Sequence, residues 1–145
     1  AHGAELRDEG VLHVPAGDGR TAFVDAHDLG DAITTLLAAP SPTSRAIECT
    51  GSEALDYHEV AAILSEVTGR TIRYDPCGLL AFYRRRRRLG EPRGYVAVMS
   101  ALYTFARLGL AAELSPALGA LLGRAPRTFR EFAIANAAAF GRCES

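Results

Sequence analysis

The 145-residue chain contains no lysine, no tryptophan, one methionine and three cysteines. All 16 basic residues are therefore arginine, and with 26 alanines this composition matches a GC-rich coding bias. The formal net charge is -1 and the pI is near 6.5, without the basic excess of a dedicated nucleic-acid binder. No apolar run reaches the roughly 18 residues of a membrane span. The longest uncharged helical stretch, from Gly94 to Ala106, carries Ser100, Thr104 and two tyrosines. The first residues lack the basic and apolar regions of a signal peptide, so a cytosolic location is expected. Cys49, Cys77 and Cys143 are odd in number and far apart, which suggests neither a disulfide framework nor a zinc site. There is no glycine-rich dinucleotide loop, GxxxxGK[ST], HExxH or GxSxG. With 48% hydrophobic and 23% charged residues, disorder is excluded.

What is present is dense in helix-start and turn signals. Val11–Val14, the turn cluster Pro15–Gly19 and Thr21–Val24 predict a β-hairpin. Asp25 is placed as an N-cap, Asp28 sits near the positive end of the helix dipole, and Val24 with Leu29 forms a hydrophobic staple. Leu29, Ala32, Ile33, Leu36 and Leu37 form one apolar face, ended by Pro40 and Pro42. Ala46–Thr50, closed by Gly51, predicts a strand. The next helix has Asp56 as N-cap, Glu59 as capping-box partner, Leu55 and Val60 as staple, and Gly69 at its left-handed end. Val60, Ile63, Leu64 and Val67 line its inner face, and Thr71–Tyr74 predicts another strand. Strand, helix and strand from Ala46 to Tyr74 predict a parallel β-α-β crossover.

After Pro76 the pattern is helical. Leu79–Leu89 forms one helix, and Tyr95, Val98, Met99, Leu102 and Ala106 mark the face of another. Ser115-Pro116 opens a short helix ended by Gly123. Thr128 to Glu131 is a capping box for a last helix that buries Phe129, Phe132, Ala133 and Phe140. The fold class is thus α/β: residues 1–76 as a small sheet-forming part and residues 77–145 as a helical cap, together one compact unit.

Several groups could carry chemistry. Arg84 to Arg88 wrap the whole helix circumference and read as a solvated, dipole-compensating helix end. An anion or acidic partner is the alternative. Asp25, His27, Asp28 and Asp31 offer metal-ligand atoms, but capping explains the first and third and Asp31 faces solvent, so no metal is assigned. His27, just inside a helix N-terminus after a strand edge, is a candidate ligand contact. His13 and His58 show no partner and are expected at hairpin or surface positions. Phe82, Tyr83, Tyr95, Met99, Tyr103 and Phe105 read as core, or as an apolar substrate pocket with phenolic hydrogen-bond donors.

The stretch from Pro15 through Ile33, with Gly17-Asp18-Gly19-Arg20 and Phe23-Val24-Asp25-Ala26-His27-Asp28, resembles a block of the NmrA-like proteins. These form an atypical branch of the short-chain dehydrogenase/reductases. Ile47 to Tyr74, with Thr50-Gly51, Glu53-Ala54-Leu55 and Gly69-Arg70, resembles the next block. Gly123 to Phe132, continuing through Asn136 to Phe140, is similar to the family's C-terminal signature.

The resemblance implies the C-terminal half of a Rossmann-type protein about twice this size. It implies NAD(P) as cofactor, held by a glycine-rich loop in an N-terminal half not represented here. The Tyr-x-x-x-Lys pair of the wider superfamily cannot occur without lysine. By the same analogy Phe23, Asp25 and His27 lie toward the nicotinamide end, and helices bearing Phe82, Tyr83, Tyr95, Met99 and Tyr103 cover a small-molecule substrate. The implied function is the substrate-binding portion of an NAD(P)-dependent oxidoreductase. A non-catalytic ligand- or protein-binding regulatory module is the alternative, and a remnant persisting through oligomerisation is a third. Uncovered strand edges and apolar faces would favour self-association into a homo-oligomer or docking on the other half. Neither nucleic acid nor membrane is expected as a partner.

Overall fold

A computed structural model describes residues 3–39 and 46–140. Pro40, Pro42 and Cys143 lie outside the described residues. The elements run α1 (Gly3–Asp8), β1 (Val11–His13), β2 (Thr21–Ala22), α2 (Ala26–Leu37), β3 (Ala54–Leu55), α3 (Tyr57–Thr68) and β4 (Arg73–Asp75). Five helices follow: α4 (Leu79–Arg88), α5 (Arg93–Arg107), α6 (Ala117–Leu122), α7 (Phe129–Ala135) and α8 (Ala137–Phe140). The architecture is the mixed α/β arrangement with a helical second part that the sequence patterns imply.

Strand pairing differs from the expected hairpin and crossover. β1 pairs in parallel with β4, Leu12 opposite Tyr74, whereas β2 pairs antiparallel with β3. The two arms of the expected hairpin thus belong to different two-stranded ribbons. Residues 46–50 form no strand. Their polar groups are used elsewhere: the Thr50 hydroxyl accepts from the Ser115 N–H at 2.9 Å and donates to the Ser115 carbonyl at 3.3 Å. At Gly51 the chain passes directly against Phe23, where a Cβ would lie 1.8 Å from the Phe23 carbonyl oxygen. The turn after β1 is tied instead to β4, because the Tyr74 hydroxyl lies 3.0 Å from the carbonyl oxygens of Val14 and Gly17.

Helix starts follow the sequence closely. Asp25 accepts from the His27 N–H, and Asp56 with Glu59 and Thr128 with Glu131 form reciprocal capping boxes. Gly69 ends α3 at φ 65°, a left-handed conformation that a β-carbon disfavours. Ser115 Oγ accepts from the Ala117 N–H at 3.3 Å, and Gly123 ends α6 at φ 68°.

Val60 and Leu64 of α3 are buried, with Ile63 and Val67 packed beside them, as periodicity predicts. Around them one core gathers Leu6 of α1, Leu12 of β1, Phe82 of α4, Val96 of α5 and Ala133 of α7. α1 has no counterpart among the expected elements.

Two expected apolar faces are corrected. On α2 only Ala32 of the predicted set is buried, while Ile33, Leu36 and Leu37 are exposed. α2 contacts α6, and the side it buries carries Ala32 and Asp28. On α5, Val96, Tyr103 and Ala106 face inward with Met99 beside them, whereas Tyr95, Val98 and Leu102 of the predicted face are exposed. This helix is apolar on nearly every side, so spacing alone does not distinguish two stripes offset by one residue.

The arginine run is also not a uniformly solvated end. Arg85 reaches Glu5 at 2.8 Å and Glu9 at 2.9 Å. Arg86 is 2% exposed, lies 3.1 Å from Glu91 and 3.5 Å from Glu5, and sits over the Phe82 ring. Arg87 donates to the Glu91 carbonyl. Glu5 and Glu9 lie about 80 positions upstream, beyond the reach of local pattern.

Candidate functional site

The N-terminus of α2 brings together residues far apart in sequence. Phe23, Val24 and Asp25 line a cavity of about 140 Å³ with Arg127, Phe129 and Phe132 from the start of α7. Two carboxylates hold this arrangement. Asp25 accepts from the His27 N–H at 2.7 Å and lies 3.0 Å from its ring Nδ1, with Arg127 at 3.9 Å. Asp28 is fully buried and accepts from the Arg127 N–H at 2.6 Å and the Arg124 guanidinium at 2.7 Å. Burial acts to raise the Asp28 carboxyl, but these two hydrogen bonds and both arginine charges outweigh it and hold the group below the usual carboxylate range. Asp31, expected to face only solvent, also reaches Arg124 at 2.9 Å. Glu53 completes the clamp by accepting from the Phe129 N–H at 2.9 Å, one of the unsatisfied donors of α7.

From this cavity a chain of aromatic rings runs into the core. Phe23 packs 5.4 Å from Phe129 and 5.9 Å from Tyr57. Tyr57 packs 6.1 Å from Tyr103, which meets Phe82 edge-on at 5.4 Å. Phe23 and Asp25 thus share a cavity, and Phe82 and Tyr103 share the buried end of the ring chain. His27 points outward, its side chain 71% exposed. Tyr83 and Met99 are partly buried against the core, and Tyr95 is exposed.

Tyr57, the link between the two groups, is not among the residues singled out from the sequence. As the first residue of α3 it carries no signal beyond its aromatic side chain. Burial raises the phenols of Tyr57 and Tyr103 and pushes Tyr74 up to about 12. At neutral pH these hydroxyls are neutral donors. Among the described residues, no group of three or more His, Cys, Asp or Glu side chains is placed to hold a metal ion. Cys49 and Cys77 are free thiols. No described helix is long and apolar enough to cross a membrane.

The arrangement is a mixed, helix-rich α/β fold with a small sheet, shared with solved structures about twice this length. The chain is similar to NmrA-like proteins, which it matches over their C-terminal half. It is 35% identical over 136 residues to an NAD(P)H azoreductase of Xenophilus azovorans, a match covering 94% of this chain and 48% of that protein. A crystal structure described as a nucleoside-diphosphate-sugar epimerase from Staphylococcus aureus superposes with a TM-score of 0.80 at 28% identity. That match covers 92% of this chain and 46% of the other. The Escherichia coli NADPH-dependent quinone oxidoreductase complexed with NADPH shares the fold at a TM-score of 0.85 and 21% identity, over 94% and 48% of the two chains. The chain spans about half the length of the curated relatives it matches. No family model matches it.

Proposed function

We propose that this chain is the substrate-binding portion of an NAD(P)-dependent oxidoreductase, transferring hydride to a carbonyl, quinone or similar acceptor. Its dinucleotide loop belongs to sequence outside these 145 residues. The observation that carries the reading is a match along nearly the whole chain to an NAD(P)H enzyme, in a sequence without a glycine-rich phosphate loop. In this reading Phe23, Asp25 and His27 lie nearest the reacting end of the cofactor. Tyr83, Tyr95 and Met99 form the substrate wall, with Phe82 and Tyr103 as rigid backing. Residues 1–76 then act as the sheet-bearing scaffold and residues 77–145 as the cap, in a cytoplasmic enzyme.

The chain alone is expected to produce no saturable enhancement when NADPH fluorescence is titrated. Saturable NADPH binding by these residues would overturn the assignment of the cofactor site to other sequence.

The same reading extends to assembly. Ile33 and Leu37 on α2 and Val98, Leu102 and Phe105 on α5 are exposed, and apolar area of this kind favours self-association. Sedimentation velocity is expected to show a homo-oligomer whose population rises with protein concentration. A monomer at every concentration would refute this.

A further inference from the structure

We propose that a second cleft, between the carboxyl ends of β1 and β4 and the outer face of α4, binds a phosphate dianion through Arg84 and Arg88. The cleft has a volume of about 610 Å³, and His13 and Asp75, the last residues of β1 and β4, form part of its wall. Ligands in parallel sheets commonly occupy the crevice outside the carboxyl ends of the strands.

Its charges divide unevenly. Arg85 is committed to Glu5 and Glu9. His13, expected to have no partner, places Nδ1 2.8 Å from Asp75 and Nε2 3.6 Å from Glu9, so both carboxylates at the cleft already face a basic group. Arg84 and Arg88 are exposed and make no hydrogen bond or ion pair among the described residues. Cys77 adds no negative charge at neutral pH, because burial and then the neighbouring Asp75 push its thiol up.

Arg84 and Arg88 are one helical turn apart and share a face of α4. Two guanidinium forks at that spacing can grip the oxygens of one tetrahedral anion with several charge-assisted hydrogen bonds. Compensation of the helix dipole accounts for arginines in the last turn, but Arg84 precedes that turn and gains little from it. Ala81 and Leu89 supply an apolar border suited to the organic part of a phosphomonoester. The cleft uses none of the residues assigned to hydride transfer and stands independently of that reading.

Isothermal titration of the 145-residue chain at low ionic strength, with inorganic phosphate and with phenyl phosphate, tests the site. Saturable binding is expected, weakened about tenfold or more in an Arg84→Gln/Arg88→Gln variant. Both side chains are exposed, so this variant should melt with the parent. Arg93→Gln, an exposed arginine at the start of α5, should leave affinity unchanged. Tighter binding of phenyl phosphate assigns the cleft to esterified ligands, and equal affinities assign it to the free anion. Either supports the site. Absence of saturable heat with both ligands, full affinity in the double variant, or an equal loss in Arg93→Gln would overturn it.

Discussion

Replacing Phe82 with alanine is expected to lower the free energy of unfolding by about 3–5 kcal/mol. Phe82 is 1% exposed, meets Tyr103 edge-on at 5.4 Å and lies beneath the Arg86 guanidinium at 5.4 Å from its centroid. Truncation removes the transfer energy of the ring and leaves a cavity beside α5, and it also removes the aromatic face beneath the Arg86 guanidinium. Urea denaturation followed by circular dichroism measures the loss directly. Phe82→Leu, which keeps most of the volume, should recover much of it. A Phe82→Ala loss below about 1 kcal/mol, the scale of an ordinary substitution, would show that the ring lines a space rather than fills the core.

The second large effect centres on Asp28. Replacing it with alanine removes the acceptor for the Arg127 N–H and should destabilise the fold by roughly 1–3 kcal/mol, because a part-buried donor then has no partner. The same residue makes stability depend on acid. Its folded-state carboxyl lies below the ordinary value of 3.8, so its contribution is complete above that value and drains away as pH falls through the lower folded-state value. Thermal melts taken from neutral pH to below pH ~4 should therefore show a steeper acid loss in the parent than in Asp28→Asn. Parallel pH profiles for the two proteins would contradict the clamp.

Local signals are legible where the physics is local. Asp56 with Glu59, Thr128 with Glu131, and Gly69 all do what their spacing predicts, because a cap satisfies backbone groups within one turn of itself. The partner of His13 and the linking role of Tyr57 are not legible locally, for the opposite reason. Asp75 is 62 positions from His13, and Tyr57 joins Phe23 to Tyr103 only once the segment before α2 has met α3 and α5. Even Asp28, placed correctly near a helix start, is engaged less by its own helix than by Arg124 and Arg127 almost 100 residues downstream.

What the chain's sequence determined by itself is its class: a lysine-free, cysteine-poor α/β chain with well-marked helix starts and three blocks that resemble those of NmrA-like proteins. The tertiary structure decided which strands pair, which stripe of α5 is buried, and which arginines of the run from Arg84 to Arg88 stay free. Periodicity records that a face is apolar, and composition that charges exist. Neither states which distant surface or opposite charge will lie against them, because that is settled only when the chain closes on itself. The missing lysine confines long-range positive charge to arginine. The structure commits Arg85, Arg86 and Arg124 to carboxylates while Arg84 and Arg88 face an open cleft.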